Sequence, residues 1–229
     1  MRGDMGRGGY GANKVSRFCV MLVKLLGLNM LTLLFSIPVI TIGASLTAMY
    51  DILLKLFRGD EEPFAKRFVA SFRENFKQST LLWLPFLLIF GAAAVDVFIL
   101  ITAPDALSVW VAVPAFAGAI AAYLLFQFVM PLQSHFFNTY LGTLRSAAIL
   151  TISNLPKTIL MALLWALPSV LFWKFTPAFP LVVMFGYSVP GYFCVRLYEP
   201  IFQILEENAA GRPIHHTNTT SKSKIRSIE

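Results

Sequence analysis

Residues 29–50 read Asn29-Met-Leu-Thr-Leu-Leu-Phe-Ser-Ile-Pro38-Val-Ile-Thr41-Ile-Gly43-Ala-Ser-Leu-Thr-Ala-Met-Tyr50, and the fold depends on how this stretch is taken. It starts inside an apolar run, breaks at Pro38 and resumes with small residues. Proline lacks an amide hydrogen and biases the residue before it, Ile37, away from helix. Thr41 and Gly43 follow at once, so Pro38, Thr41 and Gly43 read as a tight turn, with the threonine hydroxyl capping a new helix. Two helices meeting there make a hairpin.

The surrounding composition says what solvent the hairpin meets. Of 229 residues, 57% are hydrophobic and 14% charged, far more apolar than an ordinary globular domain. A spanning helix needs about 20 apolar residues, and the chain has several such windows, continuous and not alternating. That argues against a β-barrel and for an all-α, polytopic helical membrane protein. Five strong spans and one short hairpin helix emerge, at about 15–36, 41–57, 79–102, 108–132, 158–175 and 179–197. They form a single domain over 15–207. A glycine-rich tail (1–14) and a basic tail (208–229) are expected to be disordered. The first apolar run passes signal-peptide length with no Ala-x-Ala site, so it reads as uncleaved. Cys19 and Cys194 read as buried free thiols.

Between the second and third spans the pattern changes. At about 100° per residue, Phe64, Ala65, Phe68, Val69, Phe72 and Phe76 share an arc of about 140°. Lys66, Arg67, Arg73, Glu74 and Lys77 face the other way. Residues 63–77 therefore read as an amphipathic helix at the membrane interface, with Pro63 suited to its start. Its basic arc (Lys66, Arg67, Arg73, Lys77) is a candidate surface for a cytoplasmic partner or for lipid headgroups. Asn75 points into the apolar arc and needs a partner, for which a neighbouring backbone carbonyl is the first choice. A further helix is expected within 133–157, ending before Pro156.

Charge placement sets the orientation. With six crossings, sixteen of the nineteen basic residues fall on one side; by the positive-inside rule both termini are cytoplasmic. Six crossings are preferred over five, and a hairpin that only dips into the membrane satisfies the charges equally. The net charge of +7 is thus explained by orientation and anionic lipid, with no nucleic-acid partner. Asp51 and Lys55, four apart, are placed to neutralise each other.

Ser36-Ile-Pro-Val-Ile-Thr-Ile-Gly-Ala-Ser45, followed by Ser71-Phe-Arg-Glu-Asn-Phe-Lys-Gln-Ser-Thr80 and Trp83, resembles the YesL-like bacterial membrane proteins. Leu144-Arg-Ser-Ala-Ala and Leu155-Pro-Lys-Thr are also similar. The resemblance covers nearly the whole chain apart from its tails, and it departs at Arg73-Glu74, where other polar or basic residues are expected. That family is of unknown function, and its members are often encoded beside carbohydrate ABC transporters and polysaccharide-degrading enzymes. The resemblance implies a bacterial cell-membrane protein working near sugar uptake, with a membrane transporter or cytoplasmic protein as partner.

Chemistry-bearing constellations are few. His135 stands alone, and His215-His216 lies in the basic tail. No metal spacing, Walker-type glycine loop or nucleophile–base pair appears, so no cofactor is expected and the chain reads as no enzyme. Asp96 is a carboxylate within a span and a functional candidate on that ground, with a structural pair to Lys174 as the alternative. The favoured function is a non-enzymatic accessory or regulator of a carbohydrate-uptake system. The competing one is a small-solute transporter or channel whose path is lined by Asn29, Asp96 and Gln127.

Overall fold

The computed structural model describes residues 14–59, 63–102, 109–136, 139–174, 177 and 179–209. The tail readings for 1–13 and 210–229, the 103–108 connection and His215-His216 lie outside them. Eight helices and no strand occur among the described residues: α1 Lys14–Phe35, α2 Ile42–Arg58, α3 Phe64–Thr102, α4 Val109–His135, α5 Tyr140–Ser153, α6 Leu155–Lys174, α7 Phe179–Phe185 and α8 Ser188–Ala209. Five segments are long and apolar enough to cross a membrane: Phe18–Phe35, Val39–Arg58, Phe64–Thr102, Trp110–His135 and Leu155–Lys174. The molecule is an all-α, polytopic membrane protein.

The α1–α2 hairpin forms where Pro38 placed it, but its chemistry differs from the expected cap. Pro38 is extended (φ −74°, ψ 115°), and a short 3-10 turn over Val39–Thr41 leads into α2. The Thr41 hydroxyl makes no cap bond to α2. It points back instead, 2.6 Å from the carbonyl of Phe35 and 2.7 Å from that of Pro38, because α1 ends with carbonyls that have no helical acceptor role left to fill. Gly43 does not shape the turn either. A β-carbon there would lie 2.5 Å from Cβ of Trp83 and 2.6 Å from the Ser79 carbonyl, so glycine is what lets α2 and α3 touch.

Helix α2 is the centre of the packing. Every residue from Gly43 to Leu54 is buried, against α1, α3, α4 and α8. Leu46, Met49, Leu53 and the ring of Tyr50 meet Phe68, Leu82, Met130, Val195 and Tyr198 in one core. Ser45 donates to the Thr32 carbonyl at 2.8 Å, and the indole of Trp83 donates to the Val39 carbonyl at 2.9 Å. These polar contacts fix the hairpin to its neighbours in register. Beyond the hairpin, α3 and α4 pair through Phe86 and Phe126 (5.3 Å) and Phe90 and Tyr123 (6.4 Å).

Two expected elements are drawn differently. The interfacial helix and the third span are one helix, α3, of 39 residues. The charge pattern changes near Lys77, yet nothing in Gln78-Ser79-Thr80 interrupts the backbone ladder. The sixth span is instead two helices, α7 and α8, broken at Gly186-Tyr187. Pro190 sits in the first turn of α8, where a missing amide costs nothing. Lys14, Asn208 and Ala209, assigned to tails, are helical. Cys194 is buried, whereas Cys19 is exposed on α1 and both are free; Cys19 lies on the face of α1 turned away from the core.

Candidate functional site

One end of the molecule gathers most of its described charges. It is built from the last turns of α2, the first turns of α3, the end of α4 and the second half of α8. Arg58 closes α2 and is followed by Gly59, whose left-handed φ of 88° ends the helix. That exit aims the guanidinium at α8. Its Nε is 2.9 Å from Glu199 Oε1, and its second arm reaches Glu206 at 2.8 Å. Glu199 is only 3% exposed and takes a further bond from Gln203 at 3.0 Å. The ring of His135, stacked on Phe202, donates from Nε2 to Glu206. Burial pushes the Glu206 carboxyl up, but the bonds and charges of Arg58 and His135 outweigh it and hold the group below its ordinary value.

Next to this network, Arg67 of α3 meets Asp51 of α2 at 3.1 Å, and Lys55 approaches the other oxygen of Asp51 at 3.9 Å. Here the sequence assignment is corrected: Arg67 is not on the outward basic arc but turned in to a buried carboxylate. An uncompensated Asp51 between α2 and α3 would be costly, and the antiparallel packing puts Arg67 within reach of it. Asn75 donates to the Ser71 carbonyl at 3.0 Å and accepts from Gln133 at 3.4 Å. Gln133 in turn accepts from Thr143 of α5 at 3.5 Å. A cleft of about 160 Å³ opens among these groups, lined by Asp51, Lys55, Arg67, Glu74, Asn75, Gln133 and His135, with Phe136 at its wall. Its charges balance, and it offers amide, guanidinium and carboxylate groups to a small polar molecule or a polar peptide side chain. Among the described residues, no three His, Cys, Asp or Glu side chains are grouped to hold a metal ion.

The remaining sequence candidates are scattered. Lys66, Arg73 and Lys77 are exposed on α3. Asn29 is fully buried and spent on structure: it accepts from the amides of Tyr187 (2.9 Å) and Ser188 (3.0 Å) and donates to the Val183 carbonyl (2.7 Å). It thus closes the α7–α8 break by capping α8 from another helix. Gln127 is buried on α4 beside the Tyr123 hydroxyl, which itself donates to the Ala162 carbonyl at 2.9 Å. Asp96 is half-buried on α3. It forms no pair with Lys174, since α6 packs chiefly against α8 and α4. None of Asn29, Asp96 and Gln127 lines the cleft.

Sequence reasoning missed the pairing of Arg58, Glu199, Gln203, Glu206 and His135. A signal was present: Glu199, Gln203 and Glu206 recur at four- and three-residue spacing, a polar stripe along one side of α8. Their partner, however, is 141 residues away.

With this geometry in view, the chain can be set beside known proteins. Residues 25–97 match the model of a family described as a protein of unknown function, DUF624. The matched stretch takes in the second half of α1, the turn, all of α2, and α3 to Val97, hence Asp51, Arg58, Arg67 and the Gly43–Trp83 contact. No curated protein and no solved structure matches the chain.

Proposed function

We propose that this is a non-enzymatic protein of a bacterial cell membrane, with both termini cytoplasmic, that assists or regulates a carbohydrate-uptake system through its charged end. The observation that carries this reading is the pairing of the cleft with Lys66, Arg73 and Lys77 exposed on the same segment of α3. A partner seated there finds hydrogen-bonding groups in a recess and exposed basic side chains on the same stretch of α3. Interface recognition of that kind needs fixed polar groups, and the Arg67–Asp51 and Gln133–Asn75 bonds supply the fixing. The link to sugar uptake rests on the YesL-like resemblance.

Reconstitution separates assistance from transport. The purified protein alone in liposomes is expected to give no sugar counterflow; counterflow abolished by Asp96→Asn would overturn the reading in favour of a transporter. In the source cells, loss of the protein is expected to reduce uptake of a sugar. The triple variant Lys66→Glu, Arg73→Glu, Lys77→Glu should be made at normal levels yet fail to restore it. Full restoration by that variant would remove these basic side chains from the proposal.

A further inference from the structure

We infer that the tip of the α1–α2 hairpin, Ile37 to Ile40, is immersed in the hydrocarbon of one leaflet and never reaches the opposite face of the membrane. The argument begins with lengths. Helix α3 has 39 residues, about 58 Å at 1.5 Å per residue, roughly twice the hydrocarbon thickness of about 30 Å. Its second part, Gln78 to Thr102, is about 37 Å long and crosses unaided; Asp96 is its one ionisable side chain. Its first part, Phe64 to Lys77, exposes Lys66, Arg73, Glu74 and Lys77.

Helix α2 lies against that first part and the opening turns of the second. Asp51 pairs with Arg67, Gly43 meets Ser79 and Trp83, and the turn itself is tied to Trp83 through the Val39 carbonyl. The two helices therefore run antiparallel between Arg67 and Trp83. The tip ends beside Trp83, and α3 continues for about 28 Å past it. Were α2 to cross the bilayer, the matching stretch of α3 would cross with it. Arg73 and Glu74 would then stand exposed midway through the hydrocarbon. Arginine has a stem long enough to bring its charge toward the surface, but glutamate does not. Length and composition admit α2 as a span, yet 67% of that stretch is buried inside the protein, against 6–28% for the other four. Protein surrounds it, not lipid.

The tip has the opposite character. Ile37, Val39 and Ile40 are 73%, 53% and 56% exposed, three large apolar side chains presented together. Part of its backbone is also paired within the protein. The amides of Ser36, Ile37 and Thr41 are donated to Thr32, Leu34 and Pro38, and Pro38 has none to satisfy. The carbonyls of Phe35 and Pro38 take the Thr41 hydroxyl. Such internal pairing is what lipid-exposed backbone requires, and the three exposed apolar side chains are what favour lipid over water. The occupant of this face is therefore the acyl-chain region of the leaflet on the charged side.

The test uses the full chain with Cys19→Ser and Cys194→Ala, carrying Ile37→Cys or, separately, Ile40→Cys, in oriented membrane vesicles. Lys77→Cys and Thr102→Cys, at the end of α3, mark the two faces. Both tip cysteines are expected to resist a membrane-impermeant maleimide from either side, and a nitroxide there should collide with oxygen more than with a water-soluble nickel chelate. Glu74→Cys should label from the Lys77 side. Labelling of the tip from the Thr102 side would overturn the inference in favour of a full crossing. Labelling from the Lys77 side would overturn it by placing the tip in water. A Glu74→Cys that only apolar reagents reach would overturn its premise.

Discussion

Arg58 and Glu199, 141 residues apart, meet at 2.9 Å, and this pair joins the most buried helix to the last one. Glu199 is 3% exposed while the Arg58 side chain is 31% exposed. Removing the arginine leaves a buried carboxylate with only Gln203 to bond it. Breaking a buried pair costs about 3–5 kcal/mol, and Arg58→Ala is expected near about 3 kcal/mol because its side chain is partly wet. Glu206→Gln, a more exposed partner, should cost under about 1 kcal/mol. Thermal unfolding in detergent ranks the two, and equal losses would mean that Glu199 is stabilised by something other than Arg58.

Acid should act through Glu206. Its carboxyl is held below the ordinary value of 4.5, so ionised Glu206 favours the folded state. That contribution is complete above the unfolded value and fades as pH falls through the lower folded one. Wild-type stability is expected to drop more steeply below about pH 4.5 than that of Glu206→Gln. Parallel acid profiles for the two proteins would dismiss the network as a source of pH dependence.

Asn29→Ala should loosen the α7–α8 break. The substitution strands the Val183 carbonyl and the amides of Tyr187 and Ser188, and buried groups left unpaired cost about 1–3 kcal/mol each. A loss of at least about 2 kcal/mol is expected, with faster amide exchange at Tyr187 and Ser188. Exchange unchanged at those two amides would show that another group caps α8.

Two glycines give opposite expectations for one substitution. Gly43→Ala drives a methyl into Trp83 and the Ser79 carbonyl; overpacking of this kind costs about 1–3 kcal/mol. Gly91→Ala meets nothing within 4 Å and should be neutral or stabilising by under about 1 kcal/mol. Melting temperatures of the pair decide it, since similar shifts would mean that the α2–α3 approach is not set by Gly43.

What the sequence made legible follows the range of the forces involved. Pro38 acts on its own backbone, so the hairpin was readable from a single residue. Gly43 acts by what is missing opposite Trp83, forty positions away, and a turn was the only role its neighbours suggested. The boundary at Lys77 was real as a change of surroundings but not as a break in α3, because charge reports solvent and not dihedral angles. Arg67 shows the same limit: helical spacing put it on the outward arc, and only the approach of Asp51 turns it inward. The α7–α8 break was hidden because its stabilising group, Asn29, belongs to the first helix.

The Arg58 pair also imposes an order of events on synthesis. Helices emerge from the ribosome in sequence, so α2 is made and must find α1 and α3 long before α8 exists. Through that interval Arg58 has neither Glu199 nor Glu206, and the faces of Met49 and Leu53 that receive Gly191 are uncovered. The nascent hairpin therefore waits with an unpaired cation at its exit and an open seam along its length. Only arrival of the final helix closes both at once, and a chain that stops short of residue 199 would carry its most buried helix without a lid.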